Sequence, residues 1–158
     1  MTVRVRAAAR KDLPALGRLY ARIYAGMKTS ERWTVPTATS LLEHWFGAQQ
    51  DLFAVAEDRN RLVGAFVTAV KPWWDGNHLE GGELFVDPVY QRQGVGRLLV
   101  REVFSRAVQK HGATVFEAVT FRTPFHRAWY ASLGIQENQD LLWVSGSVPA
   151  ALKKLARQ

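Results

Sequence analysis

Gln91-Arg92-Gln93-Gly94-Val95-Gly96-Arg97 places two glycines, two arginines and two side-chain amides between an apolar run and a helical stripe. The first N–H groups of a helix have no partner within it and stand at the positive end of its dipole, so such a junction attracts anions. Glycine has no Cβ, so a diphosphate can approach the main chain at Gly94 and Gly96, with Arg92 and Arg97 adding charge at the rim. A P-loop needs four residues between its glycines and then Gly-Lys-Ser/Thr, whereas Arg97-Leu98 follows Gly96 here. The dinucleotide fingerprint needs a third glycine where Leu99 stands. Just upstream, Glu80 and Glu83 offer carboxylates and His78 an imidazole, groups able to accept a proton. In a regular strand Glu80 and Glu83 point to opposite faces, so only one of them faces a given site.

Composition narrows the chemistry further. There is no cysteine, which removes disulfides, thiolate metal sites and any acyl relay through an enzyme thiol. The histidines, His44, His78, His111 and His126, lack paired i, i+4 or His-x-His spacing, and no metal is expected. A length of 158 residues suits one domain spanning 1–158, and 47% apolar residues can fill its core. No run reaches the roughly 18 apolar residues of a membrane helix. Met1 to Arg10 has no apolar stretch behind its arginines, so it does not read as a secretory signal, and the expectation is a cytoplasmic protein. The net charge is +7, which attracts polyanions in general. The arginines are scattered, and no helix-turn-helix, zinc or RNA-binding signature appears, so no specific nucleic-acid partner is expected.

These residues need elements to hold them. Val3 to Ala8 predicts a first strand. Asp12-Leu13-Pro14 opens a helix with Leu16, Leu19, Tyr20, Ile23 and Tyr24 along one stripe, ending at Gly26. Thr37 or Thr39 caps a second helix with Leu41, Leu42, Trp45 and Phe46. Leu52 to Glu57 and Leu62 to Val70 form a hairpin about Asp58–Arg61. Lys71 to Asn77 reads as a loop, and Leu79 to Val86 as a strand ended by Asp87-Pro88. A helix runs from about Gly94 to Lys110 and stops at Gly112. A strand over Thr114 to Phe121, a helix over Pro124 to Ser132, one or two strands within Ile135 to Val144 and a short basic helix over Val148 to Arg157 complete the chain. The unit from Leu79 to Phe121 is β-α-β, so the sheet is mixed, antiparallel at the hairpin and parallel in the middle.

Gln91-Arg92-Gln93-Gly94-Val95-Gly96 resembles the Q/R-x-x-G-x-G/A motif of the GNAT superfamily of N-acetyltransferases at every specified position. Phe85 to Tyr90 looks like that family's strand and lead-in. Trp129-Tyr130-Ala131-Ser132-Leu133-Gly134-Ile135 resembles its aromatic-Tyr-x-x-Leu-Gly-Phe segment, with isoleucine for the final phenylalanine. The family often has asparagine and alanine where Thr123 and His126 stand, which alters one usual cofactor contact while leaving Thr123 able to cap a helix. The resemblance implies an α/β fold with a mixed, splayed sheet of about six or seven strands flanked by helices. It further implies acetyl-CoA lying between the strands Leu79–Val86 and Thr114–Phe121.

On that resemblance the cofactor contacts are Phe85, Val86, Gln91, Arg92, Gln93, Gly94, Val95, Gly96, Arg97, Thr123 and His126. Tyr130 is the donor to the leaving thiolate, Glu80 or Glu83 the base, since a bulge common in this strand of the family blurs their parity, with His78 a third candidate, and a main-chain N–H at or near Val86 the oxyanion donor. The acceptor is a small-molecule or peptide amine, met by Tyr24, Trp33, Trp73 and Trp74, whose rings can hold a cation. Glu31, Asp75 and Glu80 can attract it. Homodimers are common in the family. The alternative from another class is a domain that binds acyl-CoA as a sensor or scaffold without turnover.

Overall fold

The computed structural model describes residues 2–156. It divides into two compact units, one ending at Ala118 and one beginning at Val119. The first holds β1 (Arg4–Ala7), α1 (Leu13–Ala25), α2 (Val35–Ala48), β2 (Phe53–Asp58), β3 (Arg61–Trp73), β4 (Gly76–Val86), α3 (Val95–His111) and β5 (Ala113–Glu117). The second holds α4 (Pro124–Ala131) and α5 (Val148–Leu155); Arg157, expected at the end of the last helix, lies outside the described residues.

The strands form one sheet in the order β1-β2-β3-β4-β5. The first three pairings are antiparallel and β4 with β5 is parallel, as the β-α-β reading requires. β2 turns into β3 at Arg59-Asn60, both with positive φ (48° and 65°), a backbone whose twist matches the flanking strands. The sheet has five strands among the described residues, not the six or seven expected. The shortfall lies at 135–144, where no strand forms. There the Asn138 side chain accepts the Asp140 N–H at 2.8 Å, closing a turn, and Leu141 to Val144 are largely exposed without a ladder partner.

Alternation sends one set of strand side chains to each face. On one face Phe53, Val55, Ala65, Val67 and Phe85 pack against Leu13, Leu16, Tyr20 and Ile23 of α1 and Leu42 and Phe46 of α2. On the other, Phe66 and Phe116 meet Phe104 of α3, with ring centroids 5.2–6.2 Å apart. α1 starts and stops where its proline and Gly26 indicated. α2 begins earlier than expected. Thr34, not Thr37 or Thr39, is its cap, and Thr37 closes the reciprocal bond back to the Thr34 N–H at 3.0 Å. Pro36 in the first turn costs nothing, because its missing N–H would have had no partner.

Lys71 to Asn77 is not a loop. β3 runs to Trp73 and β4 starts at Gly76, paired to it, so only Trp74-Asp75 make the turn. In the second unit Thr123 caps α4, its hydroxyl accepting the His126 N–H at 3.2 Å. The helix ends at Ala131, and the turn after it closes on a positive-φ Gly134 (77°), with the Ile135 N–H returning to the Tyr130 carbonyl at 3.1 Å. Glu137 joins Arg127 at 3.1 Å.

Candidate active site

β4 is the spine of the site, and its middle is broken on purpose by Gly81-Gly82. Val67 of β3 faces Glu83 and Ala69 faces Glu80, so two residues of β4 stand opposite the single Thr68. This is a β-bulge. Both glycines have positive φ, 62° and 87°. A Cβ at Gly82 would overlap the Val67 carbonyl oxygen, and one at Gly81 would come 2.6 Å from the Trp45 ring.

The bulge lifts the regular-strand parity that would set Glu80 and Glu83 on opposite faces. Directly opposed residues of an antiparallel pair share a face, and Val67 and Ala69 are two apart on β3. Glu83 and Glu80 therefore lie on the same face, the one covered by α1 and α2. The extra residue has cancelled the odd spacing.

Beyond the bulge the sheet opens. β5 pairs with β4 only over Asn77–Glu80 and stops at Glu117. From Gly81 to Val86 the side of β4 turned away from β3 has no strand partner among the described residues. The strand expected over Thr114 to Phe121 is thus shorter, Ala113–Glu117, and β4 past Glu80 is open on that side.

At the end of β4, Asp87 anchors the turn. Its carboxylate is buried and accepts from Arg22 at 2.6 Å, Arg61 at 3.0 Å and the Val89 N–H at 3.2 Å. Tyr90 donates to Asp58 at 3.1 Å, which holds its own proton above the usual phenol range. Gln91 and Gln93 donate their side-chain amides back to the Val86 and Val89 carbonyls at 2.9 and 2.7 Å. The two amides expected to meet the cofactor thus build the turn that would cradle it. Arg92 (φ 59°) and Gly94 (φ 84°) are left-handed, and Gly94 caps α3. Nothing lies within 4 Å of the place a Gly94 Cβ would occupy. A helix start with a bare, open approach fits a diphosphate. Phe85 is buried against Tyr20, centroids 5.1 Å apart, so its ring belongs to the core.

The two glutamates differ sharply. Glu83 is half-buried, and Tyr20 of α1 donates to its Oε2 at 2.9 Å. Burial is the dominant influence, and with the nearby Glu31 charge it outweighs that hydrogen bond, pushing the Glu83 carboxyl up to about 7. Tyr20 is itself buried, and its phenol is driven far above the usual range, first by burial and then by the Glu83 charge. Tyr20 stacks on Tyr24 with centroids 4.4 Å apart and meets Trp33 edge-on at 5.3 Å. The Trp33 N–H donates to Glu31 at 2.7 Å. Glu80 is exposed and ion-paired to Lys71 at 2.8 Å. Lys71 also holds Glu117 at 2.6 Å and covers the Trp73 ring at 4.3 Å. Those contacts raise the Lys71 ammonium and depress the Glu117 carboxyl. His78 is buried, with Nε2 2.8 Å from Asp75 and Nδ1 3.3 Å from Glu117.

The aromatic residues expected to meet the acceptor separate into two places. Tyr24 and Trp33 gather around Tyr20 and Glu83. Trp73 and Trp74 stand at the exposed hairpin tip, where Trp73 is six residues further along β3 than Val67, or about 20 Å at the rise of a strand. Tyr20 is a polar partner that the apolar stripe of α1 conceals in the sequence, although its i, i+4 spacing to Tyr24 places the two rings together. In the second unit, Tyr130 lies on α4 with its ring edge-on to Trp129 at 5.0 Å. Thr123 and His126 join side chain to side chain at 2.7 Å, and burial lowers the His126 pKa. No group of three or more His, Asp or Glu side chains suited to a metal occurs among the described residues. No helix is long and apolar enough to cross a membrane among them.

The acetyltransferase (GNAT) family model matches residues 13–135 of the chain. No curated protein sequence matches it. Among solved structures, an integron cassette protein from the mobile metagenome of V. cholerae is similar over 100% of this chain and 99% of its own, at 15% identity and a TM-score of 0.74. A "possible acetyltransferase" from Clostridium difficile 630 is similar over 94% and 99%, at 14% identity and a TM-score of 0.74. An aminoglycoside acetyltransferase from an uncultured soil metagenomic sample, solved with trehalose, is similar over 92% and 96%, at 20% identity and a TM-score of 0.65. At these identities the likeness speaks for the fold.

Proposed function

The chain belongs to the GNAT acetyltransferase family, and on that premise we propose that, as one domain, it moves an acetyl group from acetyl-CoA directly to a primary amine of a small molecule or peptide. Acetyl-CoA supplies the acyl group as an activated thioester. The main-chain N–H groups of Val95 and Gly96 and the open face of Gly94 suit its diphosphate, and the free side of β4 after Gly81 suits its extended arm. The rings of Tyr24 and Trp33, with Glu31 beside them, suit a cationic acceptor.

Glu83 is the observation that carries this reading. An amine with a pKa near 10.4 is mostly protonated at neutral pH and cannot attack until it loses that proton. A carboxyl titrating near 7 is a matched base, ionised enough to act and basic enough to take the proton. Tyr20 holds the accepting oxygen in place. As the new C–N bond forms and the C–S bond breaks, the amine proton passes to Glu83, directly or through water. A main-chain N–H at or near Val86 steadies the charge on the carbonyl oxygen. Tyr130, by the family resemblance, gives its hydroxyl proton to the leaving sulfur. Glu80, already paired with Lys71, contributes charge near the acceptor end instead of the base.

The test is release of free CoA thiol from acetyl-CoA over a panel of amines, including aminoglycosides, polyamines and peptide N-termini. Turnover should fall at least a hundredfold in Glu83→Gln and little in Glu80→Gln. Tyr130→Phe should lower turnover and leave acetyl-CoA affinity nearly intact. Binding of acetyl-CoA with no turnover on any amine would favour the sensor or scaffold reading.

A further inference from the structure

Away from β4, a cavity of about 560 Å³ opens between α1 and the start of β3. It is large enough for a small metabolite. Its lining carries five cationic side chains, Arg6, Lys11, Arg18, Arg22 and Arg61, against the single carboxylate of Asp12. Ala15, Arg18 and Arg22 follow at steps of three and four on one face of α1, and Lys11 stands in the 3-10 turn just before the helix. Ala15 is the short member of that row, and its missing bulk leaves room between the two long cations on either side.

The cations are not equally engaged. Arg6 is spent on Asp12, at 2.7 and 3.0 Å, and on Glu57 at 2.8 Å. Arg22 and Arg61 share the buried Asp87. Lys11 and Arg18 have no ion pair among the described residues. The cavity thus has two uncommitted cations and two more whose only carboxylate is shared. That is a local excess of positive charge in a concave place, where field lines concentrate.

We propose that this cavity is a binding site for a compact di- or trianion, a phosphate- or carboxylate-bearing small molecule, separate from the cofactor turn. Lys11 and Arg18 supply the free charge, and the exposed parts of the Arg22 and Arg61 guanidiniums, still held on Asp87, complete the grip. Because those two arginines also hold Asp87, and Asp87 holds the Val89 N–H, an occupant here is linked to the residues that lead into the Gly94 turn.

The experiment is calorimetric titration of the full chain with pyrophosphate and, separately, with citrate. Native protein is compared with Lys11→Gln–Arg18→Gln and with Gly94→Asp–Gly96→Asp, each checked for a native circular-dichroism spectrum. The expected result is saturable one-to-one binding of at least one probe. It should weaken tenfold or more in the cavity variant and persist in the glycine variant, and the tighter probe tells phosphate from carboxylate. Loss in the glycine variant, with or without loss in the cavity variant, assigns the anion to the cofactor turn and overturns the proposal. No binding to native protein, or equal binding by all three proteins, overturns it as well.

Discussion

Replacing Tyr20 by phenylalanine removes the hydroxyl that donates to Glu83 at the centre of the site. The ring remains in its stack with Tyr24 and against Phe85, so packing is nearly unchanged; the hydroxyl's bond with Tyr24 is lost as well, but of the two only the bond to Glu83 acts on that carboxyl directly. Burial raises the Glu83 carboxyl, and the Tyr20 hydroxyl pulls it back toward the ionised form, leaving it at about 7. A hydrogen bond to a charged acceptor is worth roughly 1.5–3 kcal/mol. The neutral carboxyl keeps part of that bond, so the differential is taken as about 1.4 kcal/mol, which is one pKa unit. Glu83 should therefore titrate near 8 in Tyr20→Phe, about one unit above the native protein. The assay is ¹³C NMR of glutamate carboxyls across pH, with Glu83→Gln identifying the resonance, and it needs no acceptor. A native Glu83 that titrates in the ordinary carboxylate range, or a Tyr20→Phe value unchanged or lower, would refute the reasoning from burial and hydrogen bonding alike.

Linkage gives a second expectation. A carboxyl whose folded pKa lies above its unfolded value favours the folded state fully below about 4.5, and that contribution is lost as pH rises to about 7. Native protein should lose up to roughly 3 kcal/mol between pH 4.5 and 8 from this group, and Glu83→Gln should lose that much less, as read from urea melts at both pH values. Gly82→Ala must place a methyl on the Val67 carbonyl oxygen with φ at 87°, and should cost more than about 2 kcal/mol by the same melts; a change under about 1 kcal/mol would mean that the bulge yields easily. Gly94→Ala meets only open space, so its stability cost should stay near 1 kcal/mol. Its acetyl-CoA affinity by calorimetry should fall at least tenfold, and unchanged affinity would remove Gly94 from the cradle.

Several element ends of the first unit are legible because they carry their own punctuation. Pro14, Gly26, Arg59-Asn60, Gly94 and Gly112 mark turns or ends through backbone chemistry that acts locally. The apolar run at Leu141 to Val144 has a strand's composition, but a strand also needs a ladder partner, which composition does not encode. The lead-in to α2 was misplaced for a related reason, since Thr34, Thr37 and Thr39 are alike in type and only the reciprocal bond picks one. In the site, the glycine turn could be read from spacing alone. The ranking of Glu83 over Glu80 could not, because it depends on Tyr20, sixty-three residues away, and on a lysine that pairs with the other glutamate.

Gly81-Gly82 divides β4 into two segments that keep separate phase. The segment from Asn77 to Glu80 takes its alternation from the partner strand on each side, and the segment from Glu83 to Val86 takes its own from β3 alone. A one-residue insertion or deletion in an unbroken strand inverts every side chain beyond it. Here the residue added at Gly81-Gly82 has made that inversion once, and Glu83 depends on it. Deleting either glycine would restore unbroken alternation and turn Glu83 to the face opposite Glu80, away from the Tyr20 hydroxyl, while His78 and Glu80 kept their own facing.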